Sequence, residues 1–595
     1  MWTRTPRYVV MLAIGAVIAV LGSSGHSPDN PLLTYQARAL ILALVLLGWW
    51  AWTATDSRQA GSFGVDIVPV IAGTIAALAM ATSLVGTPFA AGGLGGDQSF
   101  RTASVTRFAV TWHLVDFTVA DLPAAYPPSY FWLLGRIAAL TGIEPWRMLK
   151  IGAIGSALIV PSIAYRGWRH LASGRLAALM AVVPLMVENF YEPYAWLALT
   201  AFVPWWLLSV GTSDDDGARA RRTVLLGLIG AALFTTYYYF LLVGALAFAV
   251  HFVLERTITG RRTGFRTRAI ALIGAVSLAV ASPFWVPLAI SIATAPSPDS
   301  LANRWFAEHH ALVPLPMLDA SLPGALMLAG VAHLVWTAGR DALSRRLLSL
   351  LVATYLWYGI GAFAALADHP LLSFRAKPII PTVAACAGIR ALAAAHQYAS
   401  ARCDRRDLNR LAGAVTAIIS IGVGQQFLTT VLDSPLTTAA RAAESPDDPN
   451  NPASAAVLQR LVEARVGERA TLVSDRIDIL AYYPNHAFIP WDAHYANPAA
   501  EFGERVEFLR LLAAIDDPAK FAFAAGSSRF GPIDAFVLAI DDDELVFHYL
   551  DDIFPYGTAS KEVDFNRTQL AQFDLTTVGN HVLCTPQQPR SRSVT

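Results

Sequence analysis

A carboxylate follows a run of glycines in Gly92-Gly93-Leu94-Gly95-Gly96-Asp97, and Gln98-Ser99-Phe100-Arg101 come next. Glycines open backbone conformations closed to other residues. An aspartate placed there, where an apolar run ends, is partly desolvated, so its pKa can be tuned for general-base work. Arg101, Arg107, Asp116 and Asp121 are charged partners close by in sequence. An aspartate ahead of a helix is also a common cap, and a helix can start near Ser99. Both readings stand on these residues.

Further along, Ala120-Asp121-Leu122-Pro123-Ala124-Ala125-Tyr126-Pro127-Pro128-Ser129-Tyr130-Phe131-Trp132 joins a carboxylate to prolines and aromatic rings. Such rings stack on sugars or settle among lipid headgroups. The second use gives an aromatic belt and an amphipathic helix over Ser129–Leu140 lying on a membrane. Arg375 and Lys377 stand just before an apolar run and suit a phosphate or pyrophosphate; snorkelling at a helix start also explains them. Glu188 and Glu192 flank a short turn and can hold a hydroxyl or a cation, or simply face water. Trp305 shares a polar loop with Glu308, His309 and His310. Adjacent histidines diverge on a helix, which argues against joint metal ligation. The candidates for substrate contact are Gln98, Asp116, Asp121, Tyr126, Trp132, Glu188, Glu192, Trp305 and His309. A second catalytic carboxylate is open between Asp116, Asp121 and Glu188. There is no Walker A loop, dinucleotide fingerprint, zincin pattern or credible nucleophile elbow. Any donor must therefore arrive already activated, as lipid-linked phosphosugars do.

These residues sit between apolar blocks. The chain has 595 residues, 55% hydrophobic and 15% charged, with no net formal charge, against about 25% charged in soluble chains. The neutral balance gives no sign of a nucleic-acid partner. Three cysteines, Cys386, Cys403 and Cys584, are too scattered for a disulfide framework or zinc site. Residues 1–431 predict a polytopic α-helical membrane protein with about 13 spans (11–13). The candidates are 8–24, 36–54, 66–87, 150–165, 175–188, 194–210, 222–235, 239–255, 268–291, 322–338, 346–366, 379–397 and 411–431. The first reads as an uncleaved span rather than a signal peptide. The stretch 222–255 divides at Thr235-Thr236-Tyr237-Tyr238. With that division and a cytoplasmic N-terminus, nearly all basic clusters fall on one side. They are Arg166/Arg169/Arg175, Arg219/Arg221/Arg222, Arg256/Arg261/Arg262/Arg266/Arg268, Arg340/Arg345/Arg346 and Arg402/Arg405/Arg406/Arg410. The long loop 88–149 and residues 432–595 then face outwards. A multi-pass plasma-membrane location follows.

Residues 432–595 open with a linker rich in Pro, Asp and Asn and continue as a soluble α/β or α+β domain. Helices are expected near 454–465 and 499–515, and strands at 470–473, 535–540, 545–549 and 581–584. Trp491, His494 and Tyr495 can bind a glycan or pack this domain onto the membrane region.

Three patches carry a resemblance: Gly96-Asp97-Gln98-Ser99-Phe100-Arg101-Thr102; Ala120-Asp121-Leu122-Pro123 with Tyr126-Pro127, Phe131-Trp132 and Gly135-Arg136; and His494-Tyr495-Ala496-Asn497-Pro498 with Glu501-Phe502-Gly503. Together they resemble the AftA-type galactan arabinofuranosyltransferases of actinobacteria, which belong to the GT-C class. The chain departs from that pattern at Pro128-Ser129-Tyr130. The resemblance implies a decaprenyl-phosphoryl arabinofuranose donor whose tail lies in the bilayer, and a galactofuranosyl hydroxyl of cell-wall galactan as acceptor. It implies inverting transfer of the first arabinose with Asp97 as general base. Arg375 and Lys377, with Arg101 in reserve, would steady the departing phosphate. Aspartates in such sites sometimes work with a divalent cation, and the sequence leaves that open. Later arabinosyl or mannosyl transfer is the nearest alternative. A transporter is a further one, but no internal repeat points to it.

Overall fold

The computed structural model describes residues 5–24, 30–54, 63–187, 190–211, 216–260, 264–308, 312–402, 413, 427–443, 445, 448, 451–542 and 544–587. The membrane region opens with α1 (Thr5–Ser23), α2 (Pro31–Ala54) and α3 (Phe63–Ser83). Two helices of the long loop follow, α4 (Asp97–Val110) and α5 (Ser129–Thr141). Then come α6 (Met148–Trp168), α7 (Gly174–Met180), α8 (Pro193–Val210), α9 (Asp216–Tyr237), α10 (Tyr239–Thr259), α11 (Gly264–Val280) and α12 (Ser282–Thr294). The region continues with α13 (Leu322–Thr337), α14 (Ala342–Ala365) and α15 (Ile379–Ser400).

Among the described residues, seven helices are long and apolar enough to cross a membrane, or eight if one bent pair counts as a span. The chain is thus a multi-pass membrane protein. Each expected segment from 8 to 397 overlaps a helix, but two differ in form. Residues 175–188 are not one span: α7 stops at Met180 and a 3-10 turn, Val183–Val187, follows. Pro184 in that turn has no N–H to carry a helix onward. Residues 268–291 bend by 74° between α11 and α12, where Pro283 interrupts the hydrogen-bond ladder in the same way. The expected span 411–431 lies outside the described residues except for 413 and 427–431.

The division of 222–255 is real. Tyr237 at the end of α9 packs 5.9 Å from Tyr194 at the start of α8, and lower down Trp205 Nε1 donates to the Leu226 carbonyl. On α10, Phe240 stacks on Phe202, and Trp206 Nε1 donates to the Gly244 carbonyl. Helix α8 therefore runs antiparallel to α9 and parallel to α10, and the chain reverses at Tyr238. Glu192, Tyr237, Tyr239 and the start of α15 share one face. Arg222, Arg256 and Arg402 sit toward the opposite ends of these helices, roughly 22–35 Å away at 1.5 Å per residue. Close helix approach needs missing side chains. Gly330 of α13 faces the Ala384 carbonyl of α15, and Gly388 of α15 faces the Leu326 carbonyl. A Cβ at either would strike backbone, the small-residue packing expected between spans.

The C-terminal domain contains α16 (Pro435–Ala442), α17 (Pro452–Val466), β1 (Thr471–Ser474), α18 (Ile477–Ala481), β2 (His486–Ala487), α19 (Phe502–Ala513) and α20 (Pro518–Gly526). Strands β3 (Ala535–Asp541), β4 (Glu544–Asp552), β5 (Thr558–Phe565), β6 (Phe573–Val578) and β7 (His581–Pro586) complete it. The sheet is mixed. Buried β3 pairs with β7 along one edge and with β1, then β4, along the other. Strands β1, β2 and β3 are parallel, and the remaining pairs are antiparallel.

Helix α4 joins the two regions. Its sequence mixes polar residues with Phe100, Ala103, Val105 and Phe108, and eleven of its residues, from Gln98 to Phe108, are buried. Burial of polar groups requires partners. Thr102 and Ser104 hydroxyls return to carbonyls four residues back. Thr106 Oγ1 donates to the Ala481 carbonyl at 2.6 Å, and Arg107 donates to the carbonyls of Pro484 and Asn485. Burial lowers the Arg107 guanidinium to about 10, against the pull of Asp116. Asn497 Nδ2 donates to Asp116 Oδ2 at 3.1 Å and to the Pro123 carbonyl at 2.8 Å. One continuous apolar core runs from α1–α3 through Phe100 and Trp491 to β1 and β3. Asn497→Ala strands polar groups at this seam, at about 1–3 kcal/mol. Its thermal midpoint in detergent should fall; a midpoint equal to wild type would mean the seam does not depend on Asn497.

Candidate active site

The glycine loop ends on Gly96, with φ 54°, and α4 begins at Asp97. Gly92 and Gly93 also have positive φ, 93° and 65°. The loop is fixed from two sides. Gly92 N–H donates to the Leu436 carbonyl of α16 at 2.7 Å, and Gln98 Nε2 donates to the Ala91 carbonyl at 2.6 Å. Gln98 is thus a latch for the loop. Asp97 does not cap α4, because the cap position is Gly96. It occupies the first turn, and its carboxylate turns toward Arg101 one turn on.

Four charged side chains meet there. Arg101 Nη2 lies 2.8 Å from Asp97 Oδ2 and 2.8 Å from Glu192 Oε1. Arg375 Nη1 is 2.8 Å from the same Glu192 oxygen, and its Nη2 is 4.0 Å from Asp97 Oδ2. Exposure distinguishes them: Arg101 is 1% exposed, Arg375 13%, Glu192 14% and Asp97 28%. Asp97 is the most exposed of the four. Its Oδ1 accepts a hydrogen bond from the Tyr495 hydroxyl at 3.2 Å, so the C-terminal domain touches the site directly.

Tyrosines surround the charges. The Arg101 guanidinium lies 4.5 Å from the Tyr191 ring, and Arg375 lies 5.3 Å from the Tyr239 ring. Tyr191 Oη accepts from the Asp97 N–H at 3.1 Å. Tyr126 and Tyr194 hydroxyls are 2.9 Å apart, and Tyr237 Oη accepts from Arg375 at 3.4 Å. Burial alone would lower the Arg101 guanidinium, but Tyr194, Asp97 and Glu192 raise it well above the usual arginine range. Burial pushes the Tyr126, Tyr191 and Tyr495 phenols up, so they stay neutral donors. The arrangement offers one accessible carboxylate to take a proton and two cations to hold an anion. Arg375 Nε makes no hydrogen bond among the described residues.

Asp97, Arg101, Tyr126, Glu192 and Arg375 come together. Trp305 stands at the edge, 5.2 Å from Phe374. Other candidates do not join. Asp116 is buried in a turn, accepting from Thr118 and Val119 N–H and from Asn497. Asp121 is exposed in a turn at φ 63°. Trp132 packs on Trp112 instead, and its Nε1 donates to the Trp112 carbonyl. Lys377 is exposed and has no ion pair among the described residues. Glu188 and His309 lie outside the described residues. The sequence reading missed Tyr191, Tyr194, Tyr237 and Tyr239. Their signal was the Tyr237-Tyr238-Tyr239 run at a span reversal, read only as a polar break. Among the described residues, no group of three or more His, Cys, Asp or Glu could hold a metal ion.

Glu192→Gln removes the charge shared by two arginines, and breaking a buried pair costs about 3–5 kcal/mol. Asp97 is more exposed. Glu192→Gln should therefore lower the thermal midpoint more than Asp97→Asn does; the reverse order would remove Glu192 from the centre of the cluster.

Residues 23–423 match the family described as arabinofuranosyltransferase N terminal, and residues 428–586 match arabinofuranosyltransferase A C terminal. The galactan 5-O-arabinofuranosyltransferase of Mycobacterium tuberculosis is 30% identical over 562 residues, 89% of this chain and 85% of that protein. The protein of the same name in Corynebacterium glutamicum is 25% identical over 582 residues, 89% of this chain and 86% of its own. Among solved structures, ArnT of Cupriavidus metallidurans bound to undecaprenyl phosphate has a TM-score of 0.51 at 14% identity, covering 87% of this chain and 97% of that one. That likeness gives the fold as GT-C. The chain belongs to the AftA family of arabinofuranosyltransferases.

Proposed function

We propose that this enzyme transfers arabinofuranose from a polyprenyl-phosphate donor, decaprenyl-phosphoryl arabinofuranose, to a galactofuranosyl hydroxyl of cell-wall galactan. The observation that carries the reading is the accessible Asp97 carboxylate on an otherwise buried Arg101–Glu192–Arg375 network. Asp97 takes the proton of the acceptor hydroxyl as its oxygen attacks the anomeric carbon. The bond from that carbon to the phosphate oxygen breaks, and polyprenyl phosphate leaves with inversion. Arg375 holds the phosphate as charge builds on it, and its side chain is the more exposed of the two arginines, 13% against 1%. Arg101 orients Asp97. Glu192 keeps both guanidiniums fixed before the donor arrives. Lys377 is not given the phosphate role expected of it, because its side chain lies apart from the cluster.

The arginines at the far ends of the helices support a cytoplasmic N-terminus, with the site and the C-terminal domain on the outer side. A lipid-linked donor suits that face: its tail stays in the bilayer while its sugar reaches Asp97.

Asp97→Asn in purified protein tests the base. Loss of such a group lowers rates by about 10²–10⁴-fold. That loss, with an unchanged melt, is the expected result in transfer from the polyprenyl donor to a short galactofuranosyl acceptor. Full activity in the variant would remove Asp97 as the base. Inactive wild type with this donor would point to another donor sugar.

A further inference from the structure

We infer that Tyr495 of the C-terminal domain is a positioning residue for the Asp97 base. The inference rests on the proposed role of Asp97. Arg101 holds one oxygen of that carboxylate, and the Tyr495 hydroxyl donates to the other at 3.2 Å. With both oxygens held from different sides, the carboxylate plane is fixed. A base held on one oxygen alone can swing about its χ angles and lose its aim at the acceptor hydroxyl.

Tyr495 is itself held firmly. Its ring packs 5.1 Å from Phe100 of α4 and 6.2 Å from Trp491. Trp491 Nε1 donates to Ser99 Oγ on the same helix at 3.2 Å. The neighbouring His494 is buried, with its Nε2 3.1 Å from Asp552 Oδ1. Asp552 Oδ2 in turn pairs with Arg304 at 2.5 Å. Arg304 precedes Trp305, which packs on Phe374 beside Arg375. The outer loop 295–308 thus links the domain that supplies Tyr495 to the segment that supplies the phosphate cation. The ring of contacts closes around the site, and Tyr495 is where it touches the base.

The other charged and titratable groups facing Asp97 are Arg101, Arg375, Glu192, Tyr191 and Asp492. None changes in a Tyr495→Phe variant.

The test uses the full chain in detergent. In Tyr495→Phe, kcat should fall about ten- to a hundredfold with little change in the KM for donor. A merely structural role would lower the melt without that split between kcat and KM. A melting cycle with Asp97→Asn, Tyr495→Phe and the double variant should show non-additive shifts, because the two groups touch. An unchanged kcat, or additive melting shifts, would overturn the inference while leaving Asp97→Asn inactive and the base reading intact. Full activity in Asp97→Asn would overturn the base reading, and the positioning role would fall with it.

Discussion

One carboxylate oxygen, Oε1 of Glu192, accepts from both Arg101 and Arg375. A guanidinium 1% exposed cannot remain charged inside the protein unless opposite charge and hydrogen bonds replace water. Arg101 finds these in Asp97, Glu192 and the Tyr191 carbonyl. The three partners come from α4 and from the turn ahead of α8, so satisfying Arg101 fixes the angle between loop and membrane helix. Arg375 brings in the segment before α15 by the same oxygen. The cluster is neutral as a whole, with two carboxylates against two guanidiniums. This lets it sit at the edge of an apolar bundle without a net charge to hydrate.

The same requirement explains why a polar helix is buried between two domains. Helix α4 buries Val105 and Phe108 in one apolar cluster and Phe100 and Ala103 in another, so it is not held along a single face as a surface helix is. Its hydroxyls turn back on their own carbonyls, and its two arginines reach outward in opposite senses. Arg101 binds the membrane side and Arg107 binds the C-terminal domain. The helix is in effect a polar spacer clamped at both flanks. It places Asp97 at a boundary where the carboxylate is more exposed than its partners.

Much of this was legible in the chain. Long apolar runs declare membrane helices through length alone, and the positions of the arginines required the reversal at Tyr238. Asp97 stood out through its glycine loop, and Arg101 lies one helical turn away, a spacing at which opposite charges meet. The recognised patches around residues 96–102 and 494–503 turned out to be neighbours across the seam. What misled was local plausibility. Asp116, Asp121 and Trp132 have the right chemistry in the right loop, yet Asp116 is consumed by a turn and the seam. Lys377 lies two residues from Arg375, and on a helical turn that separation points a side chain the other way.

The sequence by itself determined most of the membrane helices, a C-terminal region of mixed helix and strand, and a glycine loop that leads to Asp97. These are local properties, written in runs, periods and glycines a few residues apart. Tertiary structure alone decided that residues 97, 192, 375 and 495 would meet. Their separations run from 95 to 398 residues, and a pairing between distant charges leaves no mark on the local pattern of either. It is chosen when helices pack and buried charges must find partners. The tyrosine wall belongs to the same class: three adjacent rings read as a break in hydropathy until the fold turned the chain there and aimed them at the arginines.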